Sequence, residues 1–181
     1  DATGKLIANE EFGSVTVVSK SPLKVAYQLT GKAKWSDGQA VTADDLLLSW
    51  LAARNPADSG FDSIRKGSGL KWTTSTPVVS GDKKTLTVTY DRAVADWQSA
   101  LTITAAAHVV AERAFALSEV SAALIKFEQA IETASVADQT LISEQYGKAY
   151  LAREASTSLA RKQTEVGISS VVTGSEVRVA A

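Results

Sequence analysis

Few side chains in this sequence are suited to chemistry, and their spacing gives most of them structural work. His108 is the sole histidine and cysteine is absent, which excludes disulfides, thiolate nucleophiles and Cys/His metal centres. A transition-metal site would have to rest on carboxylates, and these show no clustered ligand spacing, so neither a metal nor a cofactor is expected. His108 lies in Ala106-Ala107-His108-Val109-Val110, at an expected loop-to-helix junction, where a buried, hydrogen-bonded imidazole is the simpler reading than a ligand. The adjacent acids Asp44 and Asp45 are a poor catalytic pair. Neighbours on a helix point about 100° apart, and both stand where a helix start favours negative charge. Gly167-Ile168-Ser169-Ser170-Val171 lacks the second glycine of a nucleophile elbow, and Gly67-Ser68-Gly69-Leu70 lacks the later glycine, lysine and hydroxyl of a phosphate loop. No catalytic residue emerges, and the chain is not expected to be an enzyme.

The elements that would hold these residues are legible from pattern. At 181 residues, 45% hydrophobic and 22% charged, the chain has the composition of one folded domain. Such a domain buries roughly 70% of the surface its unfolded chain exposes and needs no metal or disulfide to hold it. Lysine plus arginine number 19 against 20 acids, a balance with no general attraction for nucleic acid or anionic lipid. The short basic pairs Arg65-Lys66 and Lys83-Lys84 read as solvated turn charges. The absence of methionine suggests a processed chain or an excised piece of a longer protein.

Residues 12–18 and 23–29 read as an antiparallel hairpin around Ser19-Lys20-Ser21-Pro22, with Leu23, Val25, Tyr27 and Leu29 on one face at period two and Lys24 and Gln28 on the other. Thr42-Ala43-Asp44-Asp45 then opens a helix over about 43–54: the Thr42 hydroxyl is placed to cap it and Asp45 stands where a capping box carries its acid. Leu47, Trp50 and Leu51 fall at core-facing spacing, and Asn55-Pro56 supplies the stop. Strands are expected again at 70–79 and 85–90, joined by a turn at Gly81-Asp82-Lys83. Two packed helices follow, one carrying Leu117, Val120, Leu124, Phe127 and Ile131, the other Ile142, Tyr146, Ala149 and Tyr150. Strand character returns over 166–181. The pattern predicts a single α+β domain over 1–181: a twisted, largely antiparallel sheet in a strand-rich first part (1–100), mainly helix over 101–165, and a returning strand.

One segment goes further. Lys34-Trp35-Ser36-Asp37-Gly38-Gln39-Ala40-Val41-Thr42-Ala43-Asp44-Asp45, followed by an apolar helix carrying Trp50, resembles the signature of the bacterial extracellular solute-binding proteins of family five, the peptide-binding type. It departs from the usual pattern at Ala40, where relatives carry proline. Phe12-Gly13, Ser21-Pro22-Leu23-Lys24-Val25, Leu86-Thr87-Val88-Thr89-Tyr90 and Asp96-Trp97 follow in the family's order. Ala106-Ala107-His108-Val109-Val110 is similar to its Pro-Ala-His-Val segment without the proline, and Thr173-Gly174-Ser175-Glu176-Val177 stands where relatives often carry Ser-Gly-Pro-Tyr.

The resemblance implies one lobe or subdomain of a considerably longer, two-lobed protein with a periplasmic-binding-protein-like fold. Such a protein is held outside the membrane as a lipoprotein and captures peptides or a related solute for the membrane subunits of an ABC importer. The chain by itself is expected to be monomeric. Within the motif, Trp35 reads as an apolar anchor, Asp37-Gly38 as a turn pair, and Thr42, Asp44 and Asp45 as a helix start, with Ser36 also structural. These are structural roles rather than ligand contacts, and no ligand-binding residue is assigned. The alternative is a non-catalytic protein-interaction module on the same scaffold that binds no solute by itself.

Overall fold

The computed structural model describes residues 10–54, 60–61, 69–73 and 75–165, with the side chains of 151–165 left out. The expected returning strand over 166–181, the Asn55-Pro56 stop and the Arg65-Lys66 pair lie outside the described residues. Within them the architecture is α+β, as the pattern predicts. Strands β1 (Gly13–Lys20), β2 (Leu23–Leu29), β3 (Val78–Val79) and β4 (Thr85–Tyr90) form one antiparallel sheet in the order β1-β2-β4-β3. Helix α1 (Ala43–Arg54) follows β2 in the chain, and α2 (Ala107–Phe115), α3 (Val120–Glu132) and α4 (Val136–Glu165) follow the last strand.

Period-two alternation decides which sheet face is buried. Val25, Tyr27 and Leu29 of β2 and Leu86, Val88 and Tyr90 of β4 are buried, and register places Val25 beside Val88 and Tyr27 beside Leu86. The threonines of β4 point the other way and are half-buried. On the β1 edge a register shift between Val17 and Ser19 leaves Val18 bulged and well exposed, and Phe12 and Val17 are exposed beside it. The Tyr27 hydroxyl donates to the Trp97 carbonyl at 2.5 Å and sits 3.0 Å from the Tyr90 hydroxyl, which ties the Asp96-Trp97 segment under the sheet.

Helix α1 has the bounds read from the sequence, but it is not a one-faced helix: every residue from Ala43 to Ala52 is buried. It is enclosed by the sheet and by α2 and α3, which is why its leucines run consecutively instead of in a stripe.

The structure corrects two expectations. The segment 70–79 is not a continuous strand: Gly69–Trp72 is a 3-10 turn, Thr73 makes a single bridge to Tyr90, and Val78 and Val79 form the short strand β3. The Thr73 hydroxyl donates back to the Leu70 carbonyl at 2.7 Å and accepts the Trp50 indole N–H at 2.9 Å, while Arg54 donates to the Thr73 carbonyl. Gly69 packs so closely that a Cβ there would lie 2.3 Å from Val94 Cγ1. These local bonds override the β propensity of the threonines. Secondly, among the described residues three helices rather than two follow residue 101. Leu117 lies between α2 and α3, after Ala116 turns left-handed at φ 52° and its N–H bonds back to the Glu112 carbonyl.

Candidate functional site

The motif segment folds as a tight hairpin. The Trp35 N–H donates to the Gln39 carbonyl at 2.8 Å and the Gly38 N–H to the Trp35 carbonyl at 3.0 Å, leaving Ser36, Asp37 and Gly38 as a three-residue loop. Gly38 has φ +88°, the left-handed position such a loop requires. Asp37 Oδ1 accepts the Gln39 N–H at 3.0 Å, and Val41 donates to the Ala33 carbonyl at 3.0 Å, which delivers the chain to α1.

Asp45 is the hub. Its Oδ2 accepts the Thr42 N–H at 2.8 Å and the Trp35 indole N–H at 3.2 Å, and its Oδ1 accepts the Ala107 N–H at 2.7 Å. The Thr42 bond is the acid's half of a capping box. The hydroxyl half differs from expectation: Thr42 Oγ1 is directed to Asp44 Oδ2 at 3.5 Å, and the Ala43 N–H is satisfied by the Lys83 carbonyl at 2.8 Å. The Ala107 bond was not legible in the sequence. α2 begins after Ala106, which has no side-chain cap, so α1 supplies the missing acceptor from outside the helix. One carboxylate thus stands at the positive ends of two helices. Burial still pushes its pKa up, against the opposing effect of the Ala107, Thr42 and Trp35 bonds and the nearby His108.

His108, in the first turn of α2, is buried and its Nε2 lies 2.6 Å from Asp37 Oδ2. Asp37 itself is exposed. Its slight burial acts to raise its pKa, but bonds from His108 and the Gln39 N–H outweigh that and hold the carboxyl below the usual range. Ser36 is exposed at the loop tip. Trp35, Asp37, Thr42 and Asp45 are therefore brought together with His108, which ties the motif loop, α1 and α2 into one unit.

Asp44 faces a different neighbourhood. It is fully buried, its Oδ1 has no hydrogen-bond partner, and Lys83 Nζ lies 3.9 Å away. Lys83 pairs with Glu128 of α3. It is a turn charge whose side chain stays partly solvated while it pairs; with φ 57° at the turn before β4, its backbone and side chain both serve the start of α1. Burial, above all, and then the Glu128 carboxyl push the Asp44 pKa up to about 7, with Lys83 acting in the opposite direction.

No protein-family model matches the chain. It is similar to uncharacterized lipoproteins of Mycobacterium leprae, 34% identical over 113 residues, and of Mycobacterium tuberculosis and Mycobacterium bovis, each 36% identical over 113 residues. Those matches cover 61% of this chain and 20% of each relative, so the chain spans about one fifth of the length of the curated relatives it matches. Among solved structures it is similar to the periplasmic EDTA-binding protein EppA, with a TM-score of 0.53 and 22% identity, covering 68% of this chain and 22% of that one. The matched relatives are named lipoproteins and the solved neighbour is periplasmic, and over the matched stretch this chain shares that neighbour's fold.

Proposed function

We propose that this chain is a non-catalytic lobe of the substrate-binding component of an ABC uptake transporter of the family-five type, which captures peptides or a related small solute outside the membrane. The observation that carries this reading is the hairpin from Lys34 to Ala40 followed by α1. The family-like motif folds into a bracket that holds α1 and α2 in fixed relation through Asp45. The polar groups of Trp35 and Asp45 are spent on internal bonds, so the motif acts as a frame and the solute is met elsewhere in the longer protein. The fold likeness to an EDTA-binding periplasmic protein supports a small-ligand role.

The test is titration calorimetry on the full-length lipoprotein, lipid anchor removed, with a mixed short-peptide library and, separately, with metal–EDTA chelates. Saturable heat with peptides supports the reading as stated; saturable heat with chelates alone moves the solute class. A folded protein that gives no heat with either and turns over a substrate would sink it.

A second reading is favoured by one observation: Val17 and Val18 on strand β1, and Phe12 just before it, are exposed along the sheet edge of the described residues, as an interaction module would require. On that reading Val18→Lys abolishes capture of the transporter's membrane subunits and leaves solute binding unchanged.

A further inference from the structure

Asp44, Lys83 and Glu128 come from three elements, the first turn of α1, the turn before β4, and the middle of α3. They bring two carboxyl groups and one ammonium together around a wholly buried oxygen. Charge balance at such a place requires either one more cation or one proton. Among the described residues, the other charged groups nearby do not supply the cation. Asp45, next on α1, adds negative charge; His108 of α2 bonds Asp37 and acts on Asp45; Lys84 acts on Asp82 at the turn surface. Among the described residues no hydrogen-bond donor reaches Asp44 Oδ1, and both Asp44 and Glu128 lie beside the same ammonium, that of Lys83. A hydrogen on Asp44 satisfies both, because it turns the unpartnered oxygen into a donor towards Glu128 while Glu128 keeps its ion pair with Lys83.

The geometry points to a proton-operated clamp: Asp44, Glu128 and Lys83 hold α3 against the α1 start and the β4 turn while the two carboxyl groups share one proton, and release it when that proton leaves. The sign follows from the direction of the Asp44 shift. A carboxyl whose pKa is raised on folding binds its proton more tightly in the folded state, so the clamp is fully engaged below the ordinary carboxylate range. It weakens as pH rises from there to about 7. Above that the group is ionised, with no hydrogen bond to Oδ1 and only an ammonium shared with Glu128 beside it, and the least costly relief is for α3 to move off and admit water.

The experiment is hydrogen–deuterium exchange on the full-length protein at about pH 5.5 and about pH 8, corrected for the intrinsic pH dependence of exchange. Peptides covering 120–132 are read against those covering 23–29 and 85–90. The wild type should lose roughly tenfold or more of its α3 protection at the higher pH while the strands change little. Asp44→Asn, which mimics the protonated acid, should keep α3 protected at both. Glu128→Gln removes the α3 carboxyl that binds Lys83, so α3 protection should already be lost at the lower pH, a downward shift of about one pH unit or more. That variant carries the test if Asp44→Asn fails to fold. Wild-type α3 protection that is the same at both pH values, an Asp44→Asn response equal to wild type, or an unshifted Glu128→Gln would each overturn the clamp.

Discussion

The two sides of the α1 first turn meet the same problem, a carboxylate taken out of water, and resolve it differently. Towards α2, Asp45 finds two backbone N–H groups and an indole N–H aimed at its oxygens. Towards α3, Asp44 finds a second acid and an ammonium already engaged. Adjacent residues of identical chemistry are thus held by fixed dipoles in one case and by a proton in the other. What separates them is whether free backbone amides lie within reach, and the Ala106-Ala107 helix start provides one only on the α2 side.

The contrast is broken or sharpened by four measurements. Asp45→Ala should destabilise the fold by about 3–5 kcal/mol in chemical denaturation at neutral pH, because it orphans three donors at once; a cost no greater than that of Asp44→Ala would erase the distinction. Next in size is the pH response. Asp44 and Asp45 are both shifted up by burial, so stability should fall as pH rises from the carboxylate range to about 7, and Asp44→Asn should remove roughly 2 kcal/mol of that fall. A wild-type stability that rises over the same interval would contradict the assignment. Gly38→Ala, where φ is +88° and nothing crowds the site, should cost about 1 kcal/mol from backbone strain alone. Smallest is Asp37→Asn, under about 1 kcal/mol because the group is partly solvated. Its cost should vanish in acid, since a carboxyl with a lowered pKa loses its contribution as pH falls through that value.

Much of the scaffold was written locally and could be read. Thr42 with its two following acids marked the start of α1, and strict alternation in Leu86, Val88 and Tyr90 marked the inward face of β4. What escaped was non-local or carried by the main chain. The bond from Ala107 to Asp45 involves a backbone amide, so no side-chain type announces it, and an alanine-rich helix start carries no cap signal. Thr73 and its neighbouring threonines looked like a strand because β-branching is a statement about side chains, while the closeness of Gly69 to Val94 is a fact of packing. The pairing of Lys83 is hidden because its partners lie on α1 and α3, the latter 45 residues away in sequence.

The cap that α1 lends to α2 also bears on how fast the chain folds and comes apart. The two residues are separated by 62 positions, so α2 cannot secure its own first turn as it emerges and must await docking onto a helix made much earlier. A contact of that kind is expected to form after the rate-limiting barrier, where its strength is felt almost wholly by the reverse reaction. Asp45→Ala should therefore leave the refolding rate nearly untouched and accelerate unfolding, so this single carboxylate would govern how long a folded copy lasts more than how readily one is made.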